Sequence, residues 1–215
     1  MKKRNSPAYE QLADVLRNAV LQGELKPGVR LKIDELAHRY KMSATPVRQA
    51  LQALENEGIV VTQMNKGAAV RVVDDQMACE LYDFRQAVIG LVVGKCVDRL
   101  TERDLAELEQ LADRQKQAGF DTAHEAQRLF FSRIAEISGN RTAAETLARQ
   151  WPMLVAVREF YGLKNGAVVD ADQAPLMEAL RRRDRETAVR LAAVACEDAK
   201  QELVSCMREW ADIPA

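Results

Sequence analysis

IDELAHRYKMSATPVRQALQALENEGIVVTQMNKGAAVRVV, residues 33–73, is the stretch that decides the fold. Ile33, Leu36, Ala37 and Tyr40 recur at helical spacing and predict a short helix over Ile33–Tyr40. Lys41, Met42 and Ser43 break it. Thr45 is expected as the N-cap of the next helix, with Pro46 at its first position, where a missing N–H does no harm. That helix should run to Glu57, burying Val47, Ala50, Leu51 and Leu54, and Gly58 should end it. The pattern then turns to two β-rich runs, IVVTQM and AAVRVV, with Asn65, Lys66 and Gly67 between them, a hairpin. Upstream, Tyr9, Leu12, Ala13, Leu16, Ala19 and Val20 predict a helix over Ala8–Gln22, closed by Gly23 and followed by a turn at LKPG (25–28). Three helices followed by a hairpin make a winged helix-turn-helix.

After Val73 strand patterning stops. Helices are expected over Asp75–Leu100, Glu102–Ala118, Thr122–Ile137, Arg141–Tyr161, Asp170–Arg182 and Arg185–Trp210. Thr101 and Asp104 look like a capping box, and Pro152 should kink or split its helix. Residues 162–166 read as a loop. The expected fold is therefore mainly α: a winged helix-turn-helix over residues 1–74 and an all-α antiparallel bundle of about six helices over 75–215.

The 215 residues suit a small domain plus a medium one, and 47% hydrophobic content supports a packed core. Charge is divided unevenly. Residues 1–73 hold 12 Lys and Arg against 7 Asp and Glu, whereas the remainder is acidic enough to bring the net charge to −1. A basic head on an acidic body fits a DNA-binding module joined to one that does not bind DNA. Ordinary surface variation is the plainer alternative. The four cysteines, Cys79, Cys96, Cys196 and Cys206, form no CxxC pair, which favours a reducing compartment. No signal-peptide pattern and no apolar run of membrane-spanning length is present, so a cytoplasmic location is expected.

A helix-turn-helix lays its second helix in the major groove, where base edges carry the readable code. Arg48, Gln49 and Gln52 lie opposite the buried stripe, and Arg and Gln side chains match guanine and adenine edges. Ser43 and Thr45 precede or open the helix and suit phosphate, Lys41 adds charge, and Lys66 and Gly67 at the hairpin tip can approach the minor groove. Taken singly, these residues read equally as a helix cap and solvated charges; their joint order is what a winged helix needs.

The stretch AYEQLADVLRNAVLQGELKPGVRLKIDELAHRYKMSATPVRQALQALENEGIVVTQMNKGAAV resembles the N-terminal domain of the GntR family of bacterial transcription regulators. The most specific pieces are GELKPGVRL, SATPVRQALQALENEGIV and NKGAAV. Downstream, LYDFRQAV (81–88), FFSRIAEISGN (130–140) and ALRRRDRETAV (179–189) resemble the FadR branch, whose helical effector domain is called FCD, in its shorter VanR-like form. The resemblance implies a homodimeric regulator, a repressor by family default, bound to an inverted-repeat operator in double-stranded DNA and tuned by a small organic acid. Two departures stand out. Family members usually carry Arg between the Ser and Thr of the turn, where this chain has Ala44. Many FCD domains hold a divalent metal on one Asp and three His, and the matching positions here are Gln127, Phe131, Gln173 and Ala195. With two histidines in the chain, His38 and His124, no three-imidazole site can be assembled, so neither metal nor cofactor is expected.

For the effector, the resemblance points to Arg85 as a carboxylate anchor, with Gln127, Phe131 and Gln173 around it and Arg158 as a second candidate. The plainer alternatives are an ion pair of Arg85 with Asp83 or Glu80, and solvated glutamines. The position of a family acid is Ile89 here, which argues for a more apolar pocket. Three rival readings compete with a ligand-tuned regulator. An enzyme is disfavoured because the chain has no GxSxG, HExxH, P-loop or dinucleotide motif. A DNA-binding architectural or partner-docking protein would need no small ligand. An α/β effector domain would need strands after Val73.

Overall fold

A computed structural model describes residues 7–63, 67–117, 120–161 and 172–211. The chain forms two compact units, Met1–Val73 with Pro152–Gly162 and Asp74–Trp151 with Leu163–Ala215.

The first unit contains α1 (Ala8–Leu21), β1 (Arg30–Leu31), α2 (Ile33–Tyr40), α3 (Ala44–Asn56), β2 (Val60–Gln63) and β3 (Gly67–Val70). Leu12, Ala13, Leu16 and Val20 of α1 pack with Val47, Ala50, Leu51 and Leu54 of α3 in one apolar core. Across this packing Arg17 donates two parallel hydrogen bonds to Glu57, Nε to Oε2 at 2.7 Å and Nη2 to Oε1 at 2.6 Å. Such a fork-to-fork pair fixes the α1 face against the end of α3. The hairpin pairs Val60 with Val70 and Gln63 with Gly67. The sheet has a third strand that sequence reading did not anticipate: β1 pairs Arg30 with Ala69 and Leu31 with Ala68, giving the order β1-β3-β2. Two residues are too few to generate an alternating pattern. Gly28, at φ +82°, lets the chain turn so that its N–H reaches the Val70 carbonyl at 2.9 Å.

The second unit contains α4 (Asp75–Arg99), α5 (Glu102–Gln117), α6 (Phe120–Ile137), the first part of α7 (Arg141–Phe160), α8 (Ala174–Arg181) and α9 (Arg185–Ala211). This is the six-helix bundle expected, and among the described residues no strand follows β3. Three of the helix starts have a local cause. Asp74 accepts from the Met77 N–H at 2.8 Å to cap α4. Thr101 and Asp104 exchange bonds at the head of α5, and Asn140 Oδ1 accepts from the Ala143 N–H to open α7. The Thr101 bonds, with Arg133 adding its charge, hold the Asp104 carboxyl below the usual carboxylate range.

α4 and α9 run antiparallel, as three ion pairs record: Asp75 with Arg208, Asp83 with Lys200 and Asp98 with Arg185. These pairs are exposed and report register more than stability. The holding force is the core between them, which includes Ile89, Val92, Val93, Cys96, Val97, Ala188, Ala192 and Cys196. Burial pushes the Cys96 thiol up to about 12, and burial likewise raises that of Cys196.

Two sequence expectations are corrected. α3 starts at Ala44 with Ser43 as N-cap, so Thr45 and Pro46 are its second and third residues. Proline is tolerated there because first-turn N–H groups have no intrahelical partner. Pro152 lies inside an unbroken α7 and neither splits nor ends it. From Pro152 to its end α7 belongs to the first unit, where Ala156 joins the winged-helix core. The expected loop at 162–166 and the helix start at Asp170 lie outside the described residues.

The Arg17–Glu57 fork generates a stability prediction. Glu57→Gln is expected to lower unfolding free energy by about 1–2 kcal/mol, read from urea denaturation, because the guanidinium keeps its partly buried place with a weaker acceptor.

Candidate nucleic-acid interface and ligand cavity

The turn between α2 and α3 is closed by backbone bonds from the Lys41 N–H to the His38 carbonyl at 3.3 Å and from the Met42 N–H to the Ala37 carbonyl at 2.9 Å. This pattern requires a left-handed residue, and Lys41 fills it at φ 54°. Ser43 follows in extended conformation, with its hydroxyl making no cap bond. Val47, Ala50, Leu51 and Leu54 are buried on one side of α3, while Thr45, Arg48, Gln49 and Gln52 are exposed at helical spacing on the other. Lys41 and Ser43 are exposed beside them. Two cations, two hydroxyls and two amides thus share one solvent-facing ridge at a helix N-terminus, where the dipole and unpaired N–H groups favour phosphate. Gly67, exposed at φ +77°, starts β3, whereas Lys66 lies outside the described residues. His38 is exposed, as its position on α2 suggested, and the side chain of His124 lies outside the described set.

The second unit holds a cavity of about 310 Å³ lined by residues of α4, α6 and α7, among them Arg85, Arg128, Phe131, Glu136, Glu145 and Trp151. Arg85 is 7% exposed, and its guanidinium carbon lies 5.2 Å from the centre of the Trp151 ring. That contact is a cation–π interaction, which holds the charge at the cavity wall. Nearby on α4, Asp83 accepts from Lys200 and Glu80 from Gln76. The structure brings Arg85 and Phe131 together. Gln127 and Gln173 are buried, not solvated, yet neither lines this cavity. Arg158 is buried in the first unit, away from the lining. Sequence reading missed Trp151, Arg128 and Glu145; the only available signal was their spacing on helices with no assigned inner face.

Residues 8–70 match the family described as bacterial regulatory proteins, gntR family, and residues 80–197 match the FCD domain. The chain belongs to the GntR family of transcription regulators and carries an FCD domain. The Nta operon transcriptional regulator of Aminobacter aminovorans is 32% identical over 125 residues, 57% of this chain and 60% of that protein. The transcriptional repressor RspR of Escherichia coli is 21% identical over 212 residues, 96% of this chain and 93% of its own. Several other curated relatives are matched over about half their length. The solved structure of E. coli McbR/YncC superposes with TM-score 0.70 at 24% identity, covering 96% of this chain and 100% of that one, a likeness of fold.

A GntR-family regulator binds DNA, and in helix-turn-helix proteins generally it is the second helix of the motif that enters the major groove. Ala44, in place of the family's usual Arg, is half-buried and contributes no charge to that ridge. The four positions matching the FCD metal ligands carry two amides, a phenyl ring and a methyl group, a donor set that does not fit a divalent cation. Among the described residues no group of three His, Cys, Asp or Glu side chains is placed to hold a metal ion, and no helix is long and apolar enough to cross a membrane.

Lys41 combines two demands that one substitution separates. Lys41→Gly is expected to raise stability by about 0.5–1 kcal/mol, since glycine takes positive φ without strain. It should at the same time weaken DNA binding and reduce the slope of log affinity against log salt by about 1. Thermal melts paired with a salt titration of binding check both signs.

Proposed function

We propose that the chain is a homodimeric repressor that binds an inverted-repeat operator through α3 and is released by a small organic acid held at Arg85. Residues 1–74 act as the DNA-binding head, and residues 75–215 bind the effector and join the two copies, in the cytoplasm. The observation that carries the DNA half is the exposed row Thr45, Arg48, Gln49 and Gln52, set by the buried row behind it. Arg48 pairs with a guanine edge, Gln49 and Gln52 read adjacent bases, and Lys41, Ser43, Thr45 and the wing at Lys66 and Gly67 engage phosphates and the flanking groove. The effector half is supported by a buried guanidinium at a cavity wall, whose geometry matches a carboxylate. Gln127, Phe131 and Gln173 belong to the same unit and shape its interior. Release requires the acid to bind the DNA-incompetent state more tightly than the competent one.

Fluorescence anisotropy on the intergenic DNA beside the chain's own gene tests the DNA half. Tight, salt-sensitive binding that Arg48→Ala weakens by about tenfold or more, with far-UV CD unchanged, is expected from loss of one bidentate base contact. Equal affinity of parent and variant would remove Arg48 from the interface.

The homodimer draws support from exposed apolar side chains on the α4–α9 pair: Phe84 at 49%, Leu91 at 45% and Val194 at 48%. Phe84 and Leu91 are seven residues apart, two turns along one face of α4. An apolar face of this kind is what a second copy covers. The double variant Phe84→Glu, Leu91→Glu is expected to run as a monomer in sedimentation at concentrations where the parent is a dimer.

A further inference from the structure

We propose that Ala44 is a specificity-determining residue of the DNA interface, its methyl group meeting the 5-methyl of a thymine in the major groove. This rests on the reading of α3 as the helix that enters the groove. Ala44 is the first residue of α3, and a recognition helix meets base edges with its N-terminal residues. Ala44, Arg48 and Gln52 follow one another at intervals of four residues, so they stand on one side of the helix, about one turn apart. Arg48 and Gln52 are exposed and Ala44 is half-buried, so part of its surface faces solvent at the head of that line. Its neighbours Ser43 and Thr45 are exposed and carry hydroxyls suited to phosphate. A methyl group has nothing to offer a phosphate oxygen.

Four residues of helix advance about 6 Å, close to two base-pair steps of about 3.4 Å. Ala44 therefore lies within about two base pairs of the base that Arg48 reads. The chemistry of its side chain narrows the choice there. The major-groove edges of guanine, adenine and cytosine are hydrogen-bonding groups, and a methyl group pressed against them takes away their water without replacing it. Thymine alone presents an apolar group, its 5-methyl. Each half of an inverted repeat then carries one such thymine, beside the guanine paired with Arg48.

In vitro selection from a random duplex library tests this, run with the full chain and with Ala44→Arg. The parent is expected to enrich half-sites that carry thymine beside the guanine whose enrichment Arg48→Ala abolishes. Ala44→Arg is expected to enrich guanine in place of that thymine, because Arg matches the guanine edge, and to leave the other positions unchanged. A second measurement does not depend on how Ala44→Arg folds. Deoxyuridine in place of thymine removes the 5-methyl alone. Placed at each thymine of the selected half-site in turn, it should weaken parent binding at this one position by about fourfold, the size of one buried apolar carbon. In Ala44→Gly the same exchange should cost nothing, the sign that the two methyl groups act as a pair. A loss of equal size in Ala44→Gly would assign the thymine contact to another side chain, overturning the proposal while leaving α3 as the reading helix. A parent half-site in which no thymine exchange weakens binding would do the same. Enrichment of no sequence by the parent would remove both readings.

Discussion

The burial of one side of α3 is the constraint on which the rest depends. Val47, Ala50 and Leu54 are fully buried and Leu51 nearly so. Each large apolar side chain so placed contributes roughly 1.5–3 kcal/mol relative to exposure. Turning α3 by one residue would push Arg48 or Gln49 into that core and bring apolar groups out, so the helix has one rotational setting. The ridge offered to DNA follows from that setting, and the Arg17–Glu57 fork then fixes the end of the same helix against α1.

Helix α7 plays a different part in each unit. Its first half supplies Ala144, Glu145, Leu147, Ala148 and Trp151 to the wall of the cavity. Its second half places Ala156 in the winged-helix core, and the Tyr161 hydroxyl donates to the Val73 carbonyl at 3.2 Å. Pro152 stands where the division falls. A proline inside a helix removes one backbone bond and is destabilising in isolation. Its survival here is explained by tertiary packing on both sides, which outweighs one lost bond.

How much was legible in the sequence follows from which interactions are local. The winged helix was readable almost residue by residue, because amphipathic spacing, Gly58 and the change to strand patterning are all short-range signals. The capping box at Thr101 was readable for the same reason. What failed was non-local. β1 exists only because β3 lies beside it, and Thr45 yields the N-cap to Ser43 once the Lys41 turn is closed. Arg85 and Phe131 were found through family resemblance, whereas Trp151 and Glu145 could not be, since nothing in their own segment says which helices they will face. Arg158 is a buried arginine on the expected helix, in the part of α7 that joins the first unit.

The two buried thiols of the α4–α9 pair, Cys96 and Cys196, carry a further consequence. Only thiolate is nucleophilic, and burial disfavours that form at Cys96. Cys96 and Cys196 are buried as well, so an alkylating reagent reaches them only when the helix pair parts. The rate at which these sulfurs are labelled is therefore a clock for opening of the bundle's innermost layer, already present in the native chain. Any molecule that tightens that layer will slow it.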